Sequence, residues 1–408
     1  MSLPSAGGHA ARGGFSVLQW SMLLRLAHIL AGCLGVALYF AVLWDGFETI
    51  VLPRRVTRRW RLARAFYIST WEPSRAVLRR IQNPRRREAW LGIFGPLSLL
   101  LLLIFWAGAL MAAFVLMRWA LVGGGWGRLW FASGSDFFTL GLIQPAGGWG
   151  RLLTILEAGT GFGFLALVIG YLPVIYQAFS RREGNISLLD ARAGSPPSAG
   201  ELLRRGARDV NELTQLLKDF EVWTADLMES HISYPVLGYF RSLHDNQSWL
   251  ATLVTMLDAC TLVIAGAGCS EPAPLALNHS MPEAAVTRQA RLSFALARHA
   301  LVDLAQVMHI QPAPFDSTLR LPGPQLARLR KFLFQADIPW VGADTCYDAL
   351  ADLRRMYEPY ASALSTRLLM PLPEWLPGEK TRENWLSSAW NDAGQLRSRR
   401  ALHEDWHH

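Results

Sequence analysis

Charge is scarce in this chain. Asp, Glu, Lys and Arg make up 18% of its 408 residues, where soluble domains carry about 25%. That excludes a disordered chain and argues against a simple soluble enzyme. Lysine is nearly missing, with Lys218, Lys331 and Lys380 alone, so the net charge of +8 is carried by arginine. Cysteine is limited to Cys33, Cys260, Cys269 and Cys346, with no CxxC pair. Neither a disulfide framework nor a zinc site is expected. The histidines are too scattered for a metal site. No glycine fingerprint follows a strand pattern, and no P-loop, nucleophile elbow or kinase set is present. Enzyme activity and an organic cofactor are therefore not expected. Alternating strand patterns are also rare, which leaves an all-α chain.

Hydrophobic residues are plentiful at 51%, mean hydropathy is +0.18, and there are seventeen Trp. Two apolar runs, from about Leu23 to Trp44 and from Trp90 to Trp119, exceed the ~20 residues a helix needs to cross a bilayer. The first is too long for a signal-peptide core and reads as a retained anchor. A third run, Leu152 to Tyr176, carries Glu157, several glycines and Pro173, the mixture of a working helix rather than a plain anchor. Between the first two spans lie twelve arginines, from Arg54 to Arg87, opposed by Glu72 and Glu88 alone. The positive-inside rule makes this segment cytoplasmic and the N-terminus external. Arg181 and Arg182 return the chain to the cytoplasm after the third run. A bacterial inner-membrane protein with a cytoplasmic C-terminus is the expectation.

The basic segment interleaves arginines with aromatics. Arg58, Arg59, Trp60 and Arg61 suit contact with anionic lipid headgroups. Nucleic acid is not the expected partner, because both ends of the segment are tied to membrane spans. A fourth apolar run, Trp249 to Gly268, holds Asp258 near its middle. A charge there costs about 2.5–3.5 kcal/mol on insertion scales, so a buried cytosolic helix is expected.

Between the second and third spans, Leu129 to Phe138 is short, apolar and aromatic. At ~1.5 Å per residue it is too short to cross. Both of its ends must lie outside, so it enters and turns back, and irregular backbone at that depth must be buried or line a wet path. Thr139-Leu140-Gly141-Leu142-Ile143-Gln144 follows, then Trp149-Gly150-Arg151. This order of outer helix, short helix, Thr-x-Gly and Trp-Gly-Arg-led inner helix resembles the tetrameric potassium channels of bacteria, over about residues 90–180.

The resemblance implies a pore module with an extra N-terminal helix, a homotetramer of one pore loop per chain, and K⁺ or another monovalent cation as permeant ion. Thr139, Leu140 and Gly141 would supply filter oxygens, with Gly141 at positive φ. Leu142, Ile143 and Gln144 stand where the family has Tyr, Gly and Asp. Ile143 resists positive φ, so the outer filter should take another shape. Ser135, Asp136 and Glu157 would brace the filter from behind. The alternative is that Asp136 faces outer water and Glu157 pairs with Arg151. Gly161 falls where the family keeps a gating hinge, and close helix packing explains it equally. Phe162, Leu165 and Ile169 share a helix face and would line the cavity. No voltage-sensing arginine repeat is present.

Six segments follow: an external tail at 1–22, a first transmembrane helix at 23–52, a basic interfacial segment at 53–89, the pore module at 90–180, a Pro/Gly/Ser linker at 181–200, and a helical cytoplasmic domain at 201–408. A membrane-anchored signalling or interaction protein with a closed, channel-like fold is the second expectation, favoured by the altered filter.

Overall fold

The computed structural model describes residues 17–52, 61–144, 147–206, 209–243, 246–268, 281–336 and 344–378. Among these, every regular element is helical. Four helices are long and apolar enough to cross a membrane. The chain forms two compact units, the first from residues 17–51, 61–66 and 100–171, the second from 52, 67–99 and 172–378 among those described.

The first unit is built from α1 (Val17–Gly46) with its continuation Phe47–Val51, the start of α2 (Leu62–Leu78), the C-terminal part of α3 (Pro84–Val122), α4 (Trp126–Phe137) and most of the membrane-length stretch of α5 (Gly147–Ala193). α1 shows exposed Leu26, Ile29, Leu30 and Leu34, the lipid-facing surface expected of a span with no aqueous face. Its end is anchored by Asp45, which is buried. Asp45 accepts from the backbone N–H groups of Leu62 and Ala63 at 2.9 Å each and from Trp106 Nε1 at 3.0 Å. A carboxylate against the first N–H groups of α2 satisfies donors that a helix start leaves orphaned. Glu48 accepts from Trp44 Nε1 at 2.6 Å, and Arg61 donates to Thr49 Oγ1 at 2.9 Å.

The second unit centres on α8 (Trp249–Gly268). α8 packs on α9 (Met281–Val307) and α12 (Asp344–Arg355), with α6 (Ala199–Gly206), α7 (Val210–Ser233) and α13 (Glu358–Leu368) also against it. The short α10 (Ser317–Arg320) and α11 (Gly323–Phe334) complete it. In its most apolar window α8 is 83% buried within the protein, against 11% for α5 and 17% for α1. Helices cover α8 where a spanning helix would meet lipid. Asp258, in its middle, is fully buried and bound by Arg320 through Nη1–Oδ1 at 3.1 Å and Nη2–Oδ2 at 2.6 Å.

Several boundaries differ from the sequence expectation. α3 starts at Pro84, ahead of the apolar run. Proline fits the first helical turn, and Arg and Glu are good helix formers. The stretch read as a linker at 181–200 is mostly helix. α5 continues to Ala193, and α6 begins at Ala199. Ile186, Leu189 and Ala193 are buried in the core of the second unit, which outweighs the Pro/Gly/Ser composition that follows. Part of the basic segment is bound to protein as well. α13 ends on Leu369 at φ 56°, and its last carbonyls accept from Arg75, Trp71 and Arg241. Burial pushes the Arg241 guanidinium down to about 10, against the help of Glu88.

One buried cluster in the second unit has a pH consequence. Arg182 donates to Glu183, to the carbonyls of Leu237 and Phe240, and lies 3.2 Å from His231 Nε2. His231 Nδ1 sits 2.9 Å from Leu227 O. A donor at Nδ1 and an acceptor at Nε2 make this histidine neutral. Burial, and then Arg182, hold it well below its usual range. The unfolded chain therefore takes up this proton first as pH falls below about 6.5, and stability drops by up to about 1.4 kcal/mol per pH unit. Thermal melts of wild type and His231→Gln at pH 7.5 and 5 are expected to show a smaller acid loss in the variant. An equal loss would remove His231 as the cause.

Candidate functional site

The site grows from the turn that follows α4. Gly125 caps its start, and the helix runs twelve residues. At its end Thr139 N donates to Asp136 O at 2.9 Å and Leu140 N to Ser135 O at 2.7 Å. Ser135 Oγ then accepts from Leu142 N at 2.7 Å. One serine thus ties down both sides of the Thr139-Leu140-Gly141-Leu142 segment. Thr139 has φ 58° and Gly141 φ 63°. The glycine takes this freely. For β-branched Thr139 it is an outlier of the kind that costs about 1–3 kcal/mol and persists only where surroundings impose it. Ile143 is not among the positive-φ residues.

Behind this segment lies a buried ionic cluster from three helices. α3 brings Arg118, α4 brings Ser133 and Asp136, and α5 brings Thr154 and Glu157. Arg118 Nη2 contacts Asp136 Oδ2 and lies 2.8 Å from Glu157 Oε2, and Arg118 Nε reaches the same oxygen at 3.1 Å. Thr154 Oγ1 donates to Asp136 Oδ2 at 2.7 Å. Glu157 Oε1 contacts Ser133 Oγ. Glu157 and Ser133 are fully buried, with Asp136 and Arg118 nearly so. A guanidinium with its donors spread over two carboxylates fixes α3, α4 and α5 to one another.

Gly161 marks another contact. A Cβ there would lie 1.9 Å from Phe137 O, so α5 touches the end of α4 with no room for a side chain. Through this position α5 runs unbroken.

The sequence-selected residues fall into distinct places. Ser135, Asp136 and Glu157 lie in or beside the buried cluster, with Asp136 sealed from water and Glu157 on Arg118. Arg151, the other partner weighed for Glu157, is exposed. Thr139, Leu140, Gly141, Leu142 and Gln144 are exposed on this chain, with Ile143 partly so. Phe162, Leu165 and Ile169 are exposed too, at 69%, 55% and 64%. Arg58, Arg59 and Trp60 lie outside the described residues. Arg61 is turned to Thr49 and Glu48. Arg118 was missed. Its signal is in the sequence, as the lone charged residue from Trp90 to Val122.

No family model matches the chain, and no curated protein or solved structure matches it. What the fold and site define is therefore a class. Among its described residues the regular structure is all-helical, with several helices able to span a membrane and a buried charge cluster behind an exposed non-helical segment.

Proposed function

We propose that the chain is one subunit of a homotetrameric cation channel of the bacterial inner membrane. The supporting observation is the 139–142 segment. It is non-helical backbone between the short α4 and the membrane-length α5, held from behind by Ser135 and open on the other side. Such backbone is tolerated at membrane depth where it is buried in protein or faces water. Four copies would enclose it, and its carbonyls would replace part of an ion's hydration shell. Exposed Phe162, Leu165 and Ile169 would face the same axis, Gly161 would pack the inner helix or bend it, and the basic segment would lie on anionic lipid. The N-terminus would be external and the second unit cytoplasmic.

Leu142, Ile143 and Gln144 favour a second reading, a non-conducting membrane anchor for the second unit. Bilayer recordings of the purified protein under opposed K⁺ and Na⁺ separate the two. A conducting pore is expected, and Leu142→Tyr, Ile143→Gly and Gln144→Asp together should move its reversal potential toward K⁺ selectivity. A monomer in detergent with no current would reject the channel.

A further inference from the structure

A groove of about 580 Å³ runs between α1 and α3 in the first unit. It is lined by Ile29, Gly32, Cys33 and Val36 of α1 and by Ala120 and Leu121 of α3, with His28 the lining residue nearest the start of α1. Small residues leave the space, and at Gly32 a Cβ would already stand 3.1 Å from Ala120 Cβ. The lining is almost wholly apolar. The volume falls within the roughly 300–1,000 Å³ of small-ligand sites. At ~1.5 Å per residue the α1 side of the groove, from His28 to Ala37, is about 14 Å long, close to half of the ~30 Å hydrocarbon core. Both helices are long and apolar enough to cross a membrane, so the groove has the length of one leaflet.

The same face of α1 carries a cation above the groove. Arg25 precedes His28 by three residues, Ile29 by four and Gly32 by seven, the spacing of one helix face. A helical side chain leans toward the helix N-terminus, which carries the guanidinium out of the groove toward the membrane surface. His28 stacks on Trp119 at 4.3 Å and Trp119 on Trp126 at 5.5 Å, rings of the kind that gather at the headgroup level.

The protein does not supply the counter-charge. Arg25 is exposed. Among the described residues of the first unit the carboxylates are Asp45, Glu48, Asp136 and Glu157, and all four are buried. Asp45 holds Trp106 and the start of α2, Glu48 holds Trp44, and the other two hold Arg118. Residues 1–16 contain no acid. A second copy of this unit would bring no exposed carboxylate to Arg25. A phosphodiester joined to an acyl chain answers both the charge and the groove.

We infer that the α1–α3 groove binds one glycerophospholipid, with an acyl chain along Gly32 and Cys33 and the phosphate on Arg25, in the leaflet at the N-terminal end of α1. The site rests on the membrane-spanning part of the reading above and not on conduction.

Native mass spectrometry of the full-length protein in detergent, titrated with phosphatidylglycerol, tests it. One phospholipid per chain is expected to be retained ahead of all others. Arg25→Gln should weaken that retention about tenfold, the scale of one lost charge-assisted contact. Cys33→Phe fills the groove and should abolish it. Leu34→Phe, at an exposed position outside the groove, should leave it unchanged. Arg25 and Leu34 are both exposed, so their variants carry the test if Cys33→Phe does not fold. Equal retention in wild type, Arg25→Gln and Cys33→Phe would mean boundary lipid only and would overturn the proposal. A changed oligomeric state in Cys33→Phe with lipid retention intact would put a second copy in the groove and overturn it too. A retained lipid without current in bilayers would reject the channel and keep the lipid site.

Discussion

Arg118→Met is expected to destabilise the first unit by about 3–5 kcal/mol, the scale for breaking a buried ion pair from one side. The methionine fills the space, so the loss is electrostatic. Asp136 would be left buried with Thr154 Oγ1 at 2.7 Å as its remaining side-chain donor, and Glu157 would lose both contacts from Arg118. The tie among α3, α4 and α5 would go with them. Domain-scale stabilities are only about 5–15 kcal/mol, so little folded protein should be recovered from membranes. Arg118→Met with Asp136→Asn removes both members of the pair and should recover part of the loss. Yield and melting temperature by fluorescence-detected gel filtration decide it. A wild-type melting profile for Arg118→Met would show that the cluster does not hold the helices together. A double variant worse than the single would show that Asp136 matters for something other than its charge.

Much of the architecture can be read from hydrophobic runs. α1 and the apolar parts of α3 and α5 follow from length and composition, because a long uncharged stretch has few other places to go. The buried state of α8 is legible too, since Asp258 makes it a poor span. The ends of helices are less legible. Pro84-Arg85-Arg86-Arg87 reads as part of the basic interfacial segment until it is seen as the first turn of α3. The 181–193 stretch looks like a linker until Ile186 and Leu189 find a core, and that is a tertiary fact.

The site divides in the same way. Glu157 stands out as a membrane-depth acid, but its partner cannot be found by sequence proximity. Arg151 is six residues away on the same helix and points elsewhere, because neighbours on a helix face are three or four apart. Thr154, three residues away, does face the cluster. Arg118 enters from another helix, and a lone arginine in a long apolar run would have been the residue to pair with a lone acid in the next. The positive φ of Thr139 is not legible in the sequence, because the left-handed residue that closes a helix, here with Leu140 N on Ser135 O and Thr139 N on Asp136 O, is usually glycine.

The second large effect is expected in the second unit, where four charges are buried together. Arg320 binds Asp258 and reaches Glu358 Oε1 at 3.0 Å, and Arg354 reaches both Glu358 oxygens at 3.0 and 3.1 Å. Tyr357 OH donates to Asp258 Oδ1. Both guanidinium groups lie over the Trp375 ring, at 5.5 and 5.6 Å from its centre. Two arginines and two carboxylates sum to zero, so neutrality depends on every member. Burial pushes the Tyr357 hydroxyl well above its usual range, with the Asp258 charge adding to it, so it remains a donor. Asp258→Asn would leave a net positive charge in the core of α8, α12 and α13, at a cost of about 3–5 kcal/mol. Arg320→Gln would leave a net negative one, at a similar cost. The double variant restores neutrality, and its loss should fall below the sum of the single losses by about 0.5–3 kcal/mol, the range for coupled neighbours. Limited proteolysis and thermal melts of the full-length protein measure all three. Additive losses would mean that the two side chains act independently, and the buried network would then be packing rather than a charge-balanced unit.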